Sequence, residues 1–266
     1  MIWSDLKTEM PTWDANLYLK FAKERSQPSL DLIARIGLST PNRIIDLGCG
    51  PGNSTAMLRQ RWHDAEIIGL DSSPEMITAA SKAYPNEKWI LADVASWSAN
   101  IPFDIVFSNA ALQWLPSHKS LFPHLLSQVA TGGVLAVQIP AHYQSPLHQV
   151  TLDASKNRLW SHLMDLPRNA LTKEEPSFYY EALQPFASQI EIWGTEYYHI
   201  LDSPQAILEW SKGAGLRPFL EALQSEEQKH DFEQMILNGL TRAYPQQSNG
   251  QVLFPFRRLF IIAHKG

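Results

Sequence analysis

One cysteine, Cys49, is the whole thiol inventory of this 266-residue sequence, so no intrachain disulfide and no cysteine-built metal cluster can hold the fold. Stability must come from packing, which suits a reducing compartment, and a cytoplasmic protein is expected. An excess of basic charge is missing too: 22 Lys and Arg stand against 27 Asp and Glu, a net charge of -5. Nucleic-acid binding would need a basic face to neutralise phosphates, so a small-molecule partner is expected instead. No apolar stretch approaches the roughly 20 residues of a membrane span. The leading MIWSDLKTEMPTWDANLY carries acids and no apolar h-region, so neither a membrane segment nor a secretory signal is expected. The nine histidines show no ligand spacing, and no metal is expected.

Apolar residues make up 44% of the chain, enough for a sizeable core. In the first half, short β-rich runs alternate with helical patterns. RIIDLGC (43–49), AEIIGLD (65–71), KWILAD (88–93), FDIVFSN (103–109) and GGVLAVQIP (132–140) read as strands. STAMLRQRW (54–62), PEMITAASKAY (74–84) and LFPHLLSQVA (121–130) read as the helices between them. Strands separated by helices imply parallel crossovers, hence an α/β fold with a doubly wound, mostly parallel, Rossmann-like sheet. After residue 141 the alternation breaks into helical material, the sheet resumes at 190–201, helices return from Ser203, a plausible N-cap ahead of Pro204, and FRRLFIIAHK (256–265) closes the chain. Without a repeat or linker, residues 1–266 read as one domain. Residues 30–140 are its cofactor core, and 141–190 and 203–240 are helical insertions expected to cover the acceptor as a lid.

The most specific chemistry lies in RIIDLGCGPGNST (43–55). Ligands of open α/β sheets sit beyond the carboxyl ends of the strands, where Asp46, Gly48, Gly50 and Gly52 fall. The glycines allow close backbone approach ahead of a helix. Asp71 ends the second strand, where a carboxylate accepts from ribose hydroxyls, and Asp93 ends the third. A dinucleotide's pyrophosphate would be repelled by Asp46 at the loop mouth, and the loop lacks the G-x-G-x-x-G spacing. S-adenosylmethionine carries an ammonium and a sulfonium and no phosphate, so for that cofactor the carboxylate becomes an asset. Asn109, after the fourth strand, could hold the ammonium through its carbonyl, and Trp114 could face the sulfonium.

DLGCGPGNST, GLDSSPEMI, NAALQWLP, GGVLAVQIP, GLRPFL and RRLFIIA together resemble the trans-aconitate 2-methyltransferase family, class I S-adenosylmethionine-dependent enzymes, over residues 13 to 264. The resemblance implies a bacterial, cytosolic enzyme that makes a methyl ester of one carboxylate of trans-aconitate. It implies that Asp46, Gly48, Asp71, Asp93 and Asn109 line the cofactor site, to which Gly50, Ser72 and Met76 of the same stretches and Val94 beside Asp93 are added. WDANLYLKFAKERSQP would fold over the cofactor, with Tyr18 and Arg25 near its carboxylate. The sequence departs from the family pattern in a front extension before Trp13, in Ala15 where proline is usual, and in PAHY where Asp-Asn often follows the proline. The last departure bears on the acceptor.

A carboxylate with a pKa of about 4 is ionised at neutral pH, so its methylation needs no general base. No catalytic residue is assigned; orientation and water exclusion supply the rate. A polycarboxylate needs cations, ideally guanidinium forks. Arg217 and Arg258 are the first candidates, with Arg257 and Tyr143 behind them. A monomer or weak homodimer is expected. The alternatives are a methyltransferase for another small acid or hydroxyl, a nicotinamide-dependent dehydrogenase, and a non-catalytic cofactor-binding subunit.

Overall fold

The computed structural model describes residues 22–172 and 174–266. Seven strands form one sheet: β1 (Arg43–Leu47), β2 (Glu66–Asp71), β3 (Lys88–Leu91), β4 (Phe103–Asn109), β5 (Val129–Pro140), β6 (Gln189–Leu201) and β7 (Val252–His264). Their order is β3-β2-β1-β4-β5-β7-β6. The first five pair in parallel, whereas β7 runs antiparallel to both β5 and β6. The order reverses at β1, so the chain leaves β1 on one side and β4 on the other, which opens a crevice at their carboxyl ends.

Alternation decides which residues fill each face. Ile45, Leu47, Val106, Leu135 and Ile261 join one core, and Ile44, Phe107, Ala136, Phe260 and Ile262 join the other with Leu32 and Ile33 of helix Ala22–Arg35 and Ile36 just beyond it. The strands alternate because successive side chains point to opposite faces. A third core lies under the helical insertions, where Leu147, Trp160, Ile207, Trp210, Phe232 and Ile236 meet Phe254 and Phe256 of β7.

The expected helical runs are more broken than the sequence suggests. The stretch 146–166 divides into helix Pro146–Ser155, a 3₁₀ turn Ser161–Leu163 and the short helix Asp165–Arg168. The run from Pro218 splits into Arg217–Ala222 and Glu226–Ala243, because the Ser225 hydroxyl accepts from the Gln228 N–H and starts a new helix. Ser203 caps helix Pro204–Lys212 by accepting from the Ala206 N–H at 3.4 Å. Helix Pro176–Leu183 does not join the other insertion helices. It buries Tyr179 and Leu183 in the core beside helix His118–Ser127.

That displaced helix still supports the crevice. His118 is buried, and its Nε2 lies 2.8 Å from the Leu112 carbonyl while Nδ1 lies 2.8 Å from the Tyr179 hydroxyl. A carbonyl only accepts, so Nε2 carries the proton and Nδ1 accepts from the tyrosine. Burial holds the ring below the ordinary histidine pKa. The neutral His118 therefore fixes the turn Leu112–Trp114 from behind.

Candidate active site

The crevice beyond β1, β2 and β4 holds a cavity of about 300 Å3. The β1–helix loop enters it through three positive-φ glycines: Gly48 at 69°, Gly50 at 55° and Gly52 at 93°. A Cβ on Gly48 would stand 2.3 Å from that of Ala111, and one on Gly52 would meet Tyr84 and Trp89 at 2.8 Å. Both positions therefore require glycine for space as well as for φ. Helix Asn53–Arg61 starts directly behind the loop.

Asp46 is not at the loop mouth. It is fully buried behind the loop, off the cavity wall, where Oδ2 accepts from the Ser54 hydroxyl at 2.6 Å and the Thr55 hydroxyl at 2.7 Å. Oδ1 is buried without a hydrogen-bond partner. Burial pushes the carboxyl up to about 6, with the two hydroxyl hydrogen bonds opposing the rise. Ser54, which does line the cavity, stands between Asp46 and the space.

Asp71 faces the cavity with its carboxylate already oriented: Oδ2 accepts from the Gly50 N–H and Oδ1 from the Ser73 N–H, each at 2.9 Å. Each oxygen keeps a further lone pair for a ligand. Ser72, Met76, Asp93 and Val94 complete the β2 and β3 side, and Asp93 is held by the Ala95 N–H at 2.9 Å. Asn109 lines the β4 side with its Oδ1 buried and unpartnered. A buried acceptor without a donor is costly, and a ligand N–H would satisfy it. Gly48, Gly50 and Trp114 also line this cavity. Of the other expected cofactor residues, Tyr18 and the Arg25 side chain lie outside the described residues.

A second cavity, of about 100 Å3, adjoins the first across Ala110 and Trp114, which line both. Ala110 has φ 54°, unusual for a residue with a side chain. Its N–H donates to the Gln138 carbonyl at 2.9 Å, and its own carbonyl accepts from Gln113 Nε2 at 2.7 Å. The partition is thus locked on both sides. The floor comes from Pro140 of β5 and Phe254, Phe256 and Arg258 of β7; the roof comes from Leu147, Trp210 and Gly215 of the insertions.

Arg258 is 5% exposed, and its guanidinium lies 4.4 Å from the Phe256 ring centre. Nearby His199 is held neutral, its pKa pushed down to about 4 by burial and then by the Arg258 charge. Arg217 begins helix Arg217–Ala222, lines the first cavity, faces the Trp114 ring at 5.7 Å and meets Glu221 at 3.6 Å. The two cations therefore approach the partition from different elements.

Arg257 and Tyr143 do not join them. Strand alternation turns the Arg257 side chain to the opposite face of β7, where it is exposed and packs across Gly194. Tyr143 donates its hydroxyl to the Thr172 carbonyl at 3.1 Å, and it lines neither cavity. Sequence reasoning missed Ser26 and Ser29, which lie one helical turn apart and line the first cavity, and Gln113, His142 and Trp210, which line the second.

A family model described as a methyltransferase domain matches residues 44–133. The trans-aconitate 2-methyltransferase of Azoarcus sp. is 43% identical over 254 residues, covering 96% of this chain and 99% of that one. The enzyme of the same name from Rhodopseudomonas palustris is 41% identical over 257 residues, covering 96% and 100%. The chain belongs to the trans-aconitate 2-methyltransferase family. It is an S-adenosylmethionine-dependent methyltransferase, and a nicotinamide-dependent dehydrogenase is not favoured. The crystal structure of the YcgJ protein from Bacillus subtilis shares the fold, with a TM-score of 0.60, 15% identity, and coverage of 90% of this chain and all of the other. No helix among the described residues is long and apolar enough to cross a membrane.

Proposed function

We propose that the enzyme methylates one carboxylate of trans-aconitate, with S-adenosylmethionine in the larger cavity and the acid in the smaller. The observation that carries this reading is the sharing of Ala110 and Trp114 between a cavity bearing two aspartates and a cavity bearing a buried arginine. The aspartates suit a cationic donor, and a pyrophosphate would meet them unfavourably. The unpartnered Asn109 Oδ1 suits an ammonium, and Asp71 suits the ribose hydroxyls. Met76 and Val94, both buried, offer apolar contact for the base. Tyr18 and Arg25 remain proposed partners of the cofactor's carboxylate.

S-adenosylmethionine supplies the electrophilic methyl group. The protein's part is placement. Arg258 draws the acid into a cavity whose lining, among the described residues, includes no Asp or Glu, and Arg217 meets it at the partition beside Trp114. The acid is ionised at neutral pH, so no residue need remove a proton. Walls of Trp114, Trp210 and Phe256 exclude water from the reacting oxygen. A cytoplasmic setting fits a diffusible acid substrate.

Arg258→Met tests the assignment. Losing a charge-assisted contact of about 1.5–3 kcal/mol raises KM for trans-aconitate by roughly 10- to 100-fold, while calorimetric affinity for S-adenosylhomocysteine stays constant. An unchanged KM would return Arg258 to a structural role.

A further inference from the structure

The segment that divides the two cavities, residues 110–115, carries a 3₁₀ turn over Leu112–Trp114. So short a turn satisfies few of its own carbonyls, and the surrounding structure must supply donors for the rest. The Ala110 carbonyl accepts from Gln113 Nε2 at 2.7 Å, and the Leu112 carbonyl accepts from His118 Nε2 at 2.8 Å. The next two ties come from one distant residue. Thr172 lies between helix Asp165–Arg168 and helix Pro176–Leu183. It donates its N–H to the Gln113 carbonyl at 2.8 Å and its hydroxyl to the Leu115 carbonyl at 2.6 Å. The two bonds stand on either side of Trp114, which lines both cavities.

Thr172 is braced in turn. Its carbonyl accepts from the Tyr143 hydroxyl at 3.1 Å, and burial pushes that hydroxyl's pKa up, so it stays protonated and donating at neutral pH. Tyr143 belongs to the PAHY stretch that follows β5, and Leu171, next to Thr172, lines the acceptor cavity. On the donor side the same segment abuts the cofactor loop, since a Cβ on Gly48 would stand 2.3 Å from that of Ala111. A strut of hydrogen bonds thus runs from Tyr143 through Thr172 to the backbone on both sides of Trp114.

We infer that Thr172 is a positioning residue for methyl transfer, acting through its two bonds to the turn that carries Trp114. The inference rests on the reading above, in which that indole stands where donor and acceptor meet. In-line displacement tolerates little error in the separation and angle of the reacting atoms, whereas the binding of each partner is spread over many contacts. A slackened partition should therefore lower kcat far more than it changes either affinity. The hydroxyl supplies one of the two ties and the backbone N–H the other, so a side-chain change loosens the turn while His118 and Gln113 still hold it. A residue that only tethered the insertion would alter stability without separating kcat from KM.

Thr172→Val keeps the shape and the backbone bond and loses the hydroxyl. With trans-aconitate and S-adenosylmethionine, kcat should fall about tenfold, while KM for the acid and calorimetric affinity for S-adenosylhomocysteine stay within about threefold of native. Thr172→Ser returns the hydroxyl and should recover kcat to within about threefold. Tyr143→Phe, which leaves Thr172 itself untouched, should lower kcat by a smaller factor with the same steady affinities. Circular dichroism and denaturant unfolding verify that each variant is folded under assay conditions. Native kcat in both Thr172→Val and Tyr143→Phe, a fall in kcat that Thr172→Ser does not reverse, or an effect confined to stability would overturn the strut and leave the acceptor reading intact. Failure of the native enzyme to methylate any acid, with S-adenosylhomocysteine bound, would overturn both.

Discussion

Asp46→Asn probes the cofactor loop through its pH dependence. The carboxyl is fully buried and pushed from its ordinary 3.8 up to about 6. The native state therefore binds a proton more tightly than the unfolded chain, and stability contributed by this group is greatest below about pH 4 and is lost as pH rises through 6. The interval corresponds to about 3 kcal/mol. In the asparagine variant the side-chain oxygen still accepts from Ser54 and Thr55, but the amide nitrogen takes the place of the unpartnered Oδ1. An unmet buried donor costs about 1–3 kcal/mol at every pH. The variant should thus be less stable than the native protein near pH 4 and about equal to it near pH 7. Denaturant unfolding of both proteins across this range measures the difference, and titrations common to both cancel. Cofactor affinity should follow: a cationic ligand favours the ionised carboxylate, so S-adenosylmethionine binding tightens from pH 5 to 7 in the native protein and stays flatter in the variant. Stability curves that run parallel from pH 4 to 7 would refute the reasoning.

Asp71→Ala removes the acceptor of two backbone N–H groups and of the proposed ribose contact, so S-adenosylhomocysteine affinity should fall tenfold or more by calorimetry. Tyr179→Phe leaves His118 Nδ1 without its donor in a buried site, and chemical denaturation should register a loss of about 1–2 kcal/mol. Arg257→Ala, on the exposed face of β7, should leave KM for the acid within about twofold of native, a contrast with Arg258→Met in the same assay.

Residues whose roles follow from strand position were the most legible. Asp71, Asp93 and Asn109 stand at or just beyond strand ends that the hydrophobic runs marked, and all three reach the cavity. Asp46 lies only one residue before the end of β1, but there the following helix closes over it, and depth beneath a loop leaves no mark in a linear motif. Arg257 and Arg258 are equivalent in composition and opposite in orientation. Only the register of β7 against β5 and β6 separates them. Ser26 and Ser29 carried a signal, a polar pair three residues apart on a helix, but that spacing also describes a solvated face. The acceptor cavity was the least legible part, since Leu147, Trp210 and Phe256 come from three separate segments brought together by the third core, with His142 just ahead of Leu147.

The reaction proposed is transfer of the methyl group to a carboxylate oxygen of a polycarboxylate, with the two joined cavities holding donor and acceptor. Incubating the purified enzyme with trans-aconitate and S-adenosylmethionine bearing a carbon-13 methyl, followed by NMR of the product, tests it directly. The account predicts a single labelled methyl ester on trans-aconitate and stoichiometric S-adenosylhomocysteine. Label appearing on a hydroxyl acceptor but never on trans-aconitate, under conditions where the cofactor binds, would contradict it.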